Sequence, residues 1–243
     1  MASLSEQETR WRTVGPYVST LASKAALLEE IRLFLVTYDH YHALDLTFKA
    51  LLDTVLPQRS RTTRSIIVKI IKSRLVDWNP PDWVLQDLIS FAREPNLDAL
   101  RAALLLHVPR QDHVLYDFVQ QIIVPHYEKG ESRVFLSDVQ TFLDASLEEH
   151  PEILQWSFET RLRQVRGLLA TLRDYGLLKG DVNKSIALPA IPDKVIYHLI
   201  RLLKAEGVPQ EQIAYHPDWQ LWLWQPAQAK AGITAFLKQE QIA

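Results

Sequence analysis

A chain of 243 residues, 47 % apolar and 23 % charged, has room for one large domain or two ordinary ones around a real hydrophobic core. It contains no cysteine, which excludes disulfides, thiolate zinc sites and cysteine nucleophiles. The start, MASLSEQETRWRTVG, lacks the apolar stretch of a secretory signal, and no run approaches the roughly 18 uncharged apolar residues of a membrane span, so a soluble cytoplasmic protein is expected. The formal charge of −2 conceals an uneven distribution: +3 over residues 1–78, −8 over 79–153, +4 over 154–206 and −1 over the rest.

Seven glycines and thirteen prolines, the prolines mostly between apolar-periodic stretches, favour helices punctuated by proline. The segment SKAALLEEIRLFLVTY, residues 23–38, spaces Leu27, Ile31, Phe34 and Leu35 as one helical face. A second helix is predicted from about His42 to Val55, before Pro57, and a third from about Ser60 to Val76. Trp83–Phe91, Leu97–His107 and Asp112–Val124 follow, the last closed by Pro125. The link between the two halves is expected at HVPRQD, residues 107–112.

Beyond it, Ser137 is the expected N-cap of DVQTFLDASLEEH, and Ser157 that of a long helix reaching Tyr175 and ending at Gly176. LLKGDVNKSIALPAI reads as two short strands around a polar turn, and Pro192 opens a helix to Glu206. A final helix covers about Ala227–Gln239. Before it, DWQLWLW puts three tryptophans in seven residues. If extended, it would place Trp222 and Trp224 on one face, opposite Trp219; sealing onto the core is the favoured reading, with partner docking as the alternative. The predicted fold is all-α, with a helix–turn–helix in the N-terminal half and a winged-helix-like C-terminal half carrying a small β-hairpin. The expected domains are 1–110, 111–206 and an extension, 207–243.

RSRTTRSIIVKIIKSRL, residues 59–75, holds six basic side chains, and no acidic residue lies between Asp53 and Asp77. On a helical wheel Arg61, Arg64, Ser65, Lys69 and Lys72 share an arc of roughly 140°. Ile66, Ile67, Ile70, Ile71 and Leu75 lie opposite. Like charges one turn apart repel by a few tenths of a kcal/mol per pair, which an anionic partner offsets. A polyanion does so well, because each neutralised phosphate releases condensed counterions. A merely solvated face is the plain alternative. With the preceding helix and the LPQRS connection, 60–76 takes the recognition position of a helix–turn–helix, with Arg59 just ahead of it.

The second basic element is the helix after Ser157. Phe158, Leu162, Val165, Leu168, Leu169 and Leu172 form its apolar side; Arg163, Arg166 and Arg173 lie on the polar side, and Arg161 falls over the apolar one. Helix, helix, two-stranded turn is the order of a winged helix, in which 156–175 would enter a major groove and a wing from Lys179 to Lys184 would meet phosphate. A winged helix that docks protein is the competing reading.

The run Trp156-Ser157, Thr160-Arg161, Gly167-Leu168-Leu169 and Leu172-Arg173-Asp174-Tyr175-Gly176-Leu177-Leu178 resembles the BrxA family of bacterial BREX phage-defence systems. So do ALLEEIRLFL, the arginine cluster at 59–64 and LLLHVPRQDHVLYDFVQQIIVPHY. The likeness covers roughly residues 18–206 and rests on order and spacing, not on one motif. It implies a small, all-helical, cytoplasmic protein that binds double-stranded DNA beside a methyltransferase, an ATPase and other BREX components. BrxA has also been likened to the RNA-binding antitermination factor NusB. Some members have been labelled membrane proteins, which the hydropathy here does not support.

Other constellations point away from chemistry. DHYH at 39–42 does not bring its histidines to one point, and His107, His113 and His126 are scattered, so no metal is expected. GDVNKS lacks the second glycine of a phosphate loop, and the carboxylates of LEEHPE have no evident partner. The expectation is a non-enzymatic, cofactor-free protein of a BREX-type locus that grips duplex DNA through Arg59, Arg61, Arg64, Ser65, Lys69 and Lys72, and through Arg163, Arg166, Arg173, Lys179 and Lys184. A NusB-like RNA-binding factor and a subunit that binds only protein are the alternatives.

Overall fold

The computed structural model describes residues 11–12 and 14–240, and the helices it contains follow the apolar spacing closely. They are α1 (Thr20–Ser23), α2 (Leu28–Tyr41), α3 (Leu44–Ala50, continued by a π-helical turn Leu51–Val55), α4 (Arg61–Leu75), α5 (Asp82–Ala92) and α6 (Asp98–Gln111). Then come α7 (His113–Phe118, with a π turn Val119–Ile123), α8 (Val124–Glu128), α9 (Leu136–Ala145), α10 (Phe158–Asp174), α11 (Asp193–Ala205) and α12 (Pro226–Glu240). The protein is mainly helical, with one small antiparallel sheet.

The sheet has three strands, β1 (Arg133–Val134), β2 (Leu178–Lys179) and β3 (Lys184–Ile186), in the order β1-β3-β2. The β2–β3 hairpin lies where the sequence places two strands, with Lys179 opposite Ser185. Strand β1 is new: Val134 pairs with Lys184, and two residues are too few to register as alternation. At the turn Gly180 has φ +90°, and a Cβ there would sit 2.2 Å from the Asn183 carbonyl oxygen, so only glycine fits.

Helix α6 is the centre of the core. From Ala99 to Arg110 every residue but Arg101 is buried, so the helix is apolar on nearly all sides and other elements pack around it. Residues 107–110, part of the expected link at 107–112, belong to this buried stretch, with Pro109 inside the last turn, where it gives up its own N–H. The C-terminal part also reaches α6. Its tryptophan segment is a 3₁₀ helix, Pro217–Trp222, instead of an extended strand. Trp219 therefore stacks on Trp224, centroids 5.7 Å apart, while the buried Trp222 indole donates to the Ala102 carbonyl at 3.0 Å. Arg110, fully enclosed, is paired with Glu206 and Asp218, and Tyr116 donates to Asp218 at 3.0 Å.

Three local expectations are corrected, the first by tertiary contacts. The first helix begins at Leu28, not Ser23, because the Ala26 carbonyl is turned away to accept from Arg74 at 3.0 Å and from the Tyr175 hydroxyl at 2.5 Å. Pro125 does not close its helix. The π turn before it lets Val124 donate to the Val119 carbonyl, and Pro125, which has no N–H, follows where the ladder has already shifted. Ser137 is not an N-cap either; Phe135 holds that position, its N–H donating to Asp138 at 2.7 Å. Ser60 and Ser157 do cap α4 and α10, accepting from Thr63 and Thr160.

Candidate nucleic-acid interface

A strap leading into α1 brings the two basic helices together. It lies across α10 at Gly167, where a Cβ would stand 2.3 Å from the Leu21 carbonyl oxygen, so the close crossing requires glycine. The buried Gln164 secures it, accepting from the Ala22 N–H at 2.8 Å and donating to the Val18 carbonyl at 3.3 Å. On this floor a cleft of about 370 Å³ opens between Thr63 and Ile66 of α4 and Thr160 and Arg163 of α10, with Lys24 at its side. It shares Ser19, Ser23 and Ile66 with a larger cavity of about 940 Å³, which Lys69 also lines.

The electrostatics of this groove favour anions for two reasons. Thr63 and Thr160 both sit in the first turn of their helices, so two positive helix ends converge on it. Its cations are also uncommitted: among the described residues Lys24 and Arg163 have no ion-pair partner, and neither has Lys69 of the adjoining cavity or Arg64, which lines neither of the two. Arg59 is exposed on the connection before α4 and is likewise unpaired among the described residues. Ser65 is exposed. Arg61 is exposed but reaches back to Asp53 at 3.0 Å, a surface pair of small worth. Lys72 lies over the Phe48 ring, 5.4 Å from its centroid. Two α4 assignments change: Ile66 faces the groove at 43 % exposure instead of the core, and Arg74 is buried.

On α10, Arg166 and Arg173 turn to a second groove of about 580 Å³, walled by Phe135 and Leu136 at the start of α9 and by Val182 at the hairpin tip. Arg166 is exposed and unpaired among the described residues, as is Lys179 on β2. Arg173 is held by Asp174 at 2.7 Å and Asp181 at 2.9 Å; these bonds keep its guanidinium above its ordinary pKa. Lys184 is 8 % exposed and donates to the Gly180 and Asp181 carbonyls, closing the turn from inside; burial, then the Arg173 charge, lowers its pKa. Arg161, over the apolar side, is half-buried with its Nε unpartnered.

Lys24 and the hydroxyls of Ser19 and Ser23 were not among the residues the sequence singled out. Nothing local marks them, because their place depends on the strap crossing α10. Residues 15–202 match the family model BrxA, and the chain belongs to that family. No curated protein matches it. Among the described residues no helix is long and apolar enough to cross a membrane.

Proposed function

We propose that the protein is a non-enzymatic accessory component of a BREX-type phage-defence system that binds double-stranded DNA along the groove between α4 and α10. One observation carries this reading: two helix N-termini and the unpaired cations Lys24 and Arg163 border one cleft whose lining holds hydroxyls and no carboxylate, and the unpaired Lys69 borders the cavity that adjoins it. Such an arrangement suits phosphate oxygens, each contact releasing counterions. The segment order favours the finer motifs expected. Helices α3 and α4, joined by a short connection, support the helix–turn–helix reading. The order α8–β1–α9–α10–β2–β3, with β3 central in the sheet, supports reading this half as a winged helix. BrxA membership supports other BREX components as partners.

Contacts of this kind read backbone, so affinity is expected to depend strongly on salt and weakly on sequence. Replacing Arg64, Lys69 and Arg163 together by glutamine should lower the log–log salt slope for a duplex by about 0.9 per lost contact, roughly 2.7 in all. Fluorescence anisotropy at several salt concentrations measures this, and an unchanged slope sinks the reading. Competition with hairpin RNA, whose deep, narrow major groove does not admit these helices, separates the NusB-like alternative. A chain with no duplex binding at physiological salt that co-purifies with another defence component would be the interaction subunit instead.

A further inference from the structure

Beside the larger cavity, and independent of any nucleic acid, His113, Asp117 and His150 each bring a ligand atom to within 4.8 Å of the others. We propose that these three side chains form a divalent transition-metal site, two imidazoles and one carboxylate, of the kind that takes zinc or cobalt(II). His113 and Asp117 stand one turn apart at the start of α7; His150 arrives on the connection before the 3₁₀ turn Pro151–Gln155.

One ligand pair already has the spacing a metal needs, and the third ligand lies within 4.8 Å of both. His113 Nε2 and Asp117 Oδ2 are 3.2 Å apart, near the separation of about 3.4 Å between two ligands that each lie about 2.1 Å from a tetrahedral ion. Each ring is also oriented by its other nitrogen. His113 Nδ1 lies 2.6 Å from the Gly15 carbonyl, closer than the Gly15 N–H at 3.3 Å, so this nitrogen is the donor and Nε2 keeps its lone pair. His150 Nδ1 is 3.1 Å from Glu152, which leaves its Nε2 as the ligating nitrogen. Outer hydrogen bonds of this kind to a backbone carbonyl and a carboxylate fix the tautomer of metal-binding histidines. Asp117 accepts from the Tyr17 hydroxyl at 2.8 Å, and the Tyr17 ring stacks on His150 at 3.5 Å.

The three side chains are 12–19 % exposed, shielded enough to strengthen binding yet reachable. Two imidazoles and a carboxylate suit zinc, cobalt(II) or iron(II) better than magnesium or calcium, which prefer oxygen. His113 and Glu152 border the cavity, which can supply a water to the fourth position. Bound there, the ion would clip the Gly15–Tyr17 strap, α7 and the 150–152 connection together.

The test is a cobalt(II) and zinc titration of the full chain after dialysis against a chelator. One cobalt per chain is expected, with the visible d–d absorption of a low-coordinate ion, bleached when zinc displaces it. His113→Gln and His150→Gln should each weaken binding tenfold or more. His126→Ala, whose imidazole pairs with Glu131 elsewhere, should leave it unchanged. Asp117→Asn, which keeps the shape of the side chain, carries the same expectation if a histidine variant does not fold. Absence of saturable binding by the wild-type chain, or a cobalt spectrum that survives both histidine substitutions, overturns the proposal.

Discussion

The cations around α4 and those at the hairpin end of α10 resemble each other in sequence and differ in what surrounds them. Arg64 and Lys69 have no ion-pair partner among the described residues. Arg173 has Asp174 beside it and Asp181 across the turn, and Lys184 closes that turn with its own ammonium. The extreme case is Arg110, sealed in the core between two carboxylates. A positive side chain faces a partner only where the fold leaves it no acceptor of its own. Counting cations along a segment therefore overstates the hairpin end and understates the groove, which gains Lys24.

That division predicts opposite responses to charge removal. The largest effect is expected inside: Arg110→Met strands Glu206 and Asp218 without their cation and should cost about 3–5 kcal/mol, read as a lower denaturation midpoint. The salt slope of whatever fraction stays folded should not move. A midpoint near wild type would show that the two carboxylates are protonated without it, for burial already raises Glu206 to about 7. A smaller contrast lies within the hairpin. Lys184→Gln should lose about 1 kcal/mol of stability with the duplex salt slope intact. Lys179→Gln should leave stability within about 0.5 kcal/mol. It should lower the slope by about 0.9 if the wing touches phosphate. Interchanged results would place the hairpin's available charge on Lys184.

The smallest effect concerns pH. Burial holds His107 well below its ordinary 6.5 and lowers His198 as well; their Nε2 atoms lie 2.8 Å apart, and His198 is also bonded to Asp87. Below about 6.5 the unfolded chain takes up protons that the folded one refuses, so this pair loses stability as pH falls. Glu206, raised to about 7, and Asp112, raised to about 6, act in the reverse sense, losing stability as pH rises toward those values. The difference between wild type and His107→Gln isolates the histidine contribution: the variant should lose less stability between about pH 6.5 and 5. Parallel curves would mean that His107 carries a proton in the folded chain.

What was legible in the sequence was local. The Ser157 cap, the apolar stripe of α4 and the hairpin turn at Gly180 are each decided within a few residues. What was not legible depends on distant chain. Strand β1 exists only because β3 lies beside it, and Ile66 faces outward because the strap leaves a groove there. His113, taken alone, is one scattered histidine; only folding sets it against His150. Arg74 counts as one more cation of the basic run until it is seen donating to the Ala26 carbonyl.

That carbonyl, shared by Arg74 of α4 and Tyr175 just after α10, ties the C-terminal ends of the two helices that wall the groove to one atom. Sliding one helix past the other breaks at least one of the two bonds to that oxygen. Whatever seats between them meets two helices already fastened to each other at their far ends.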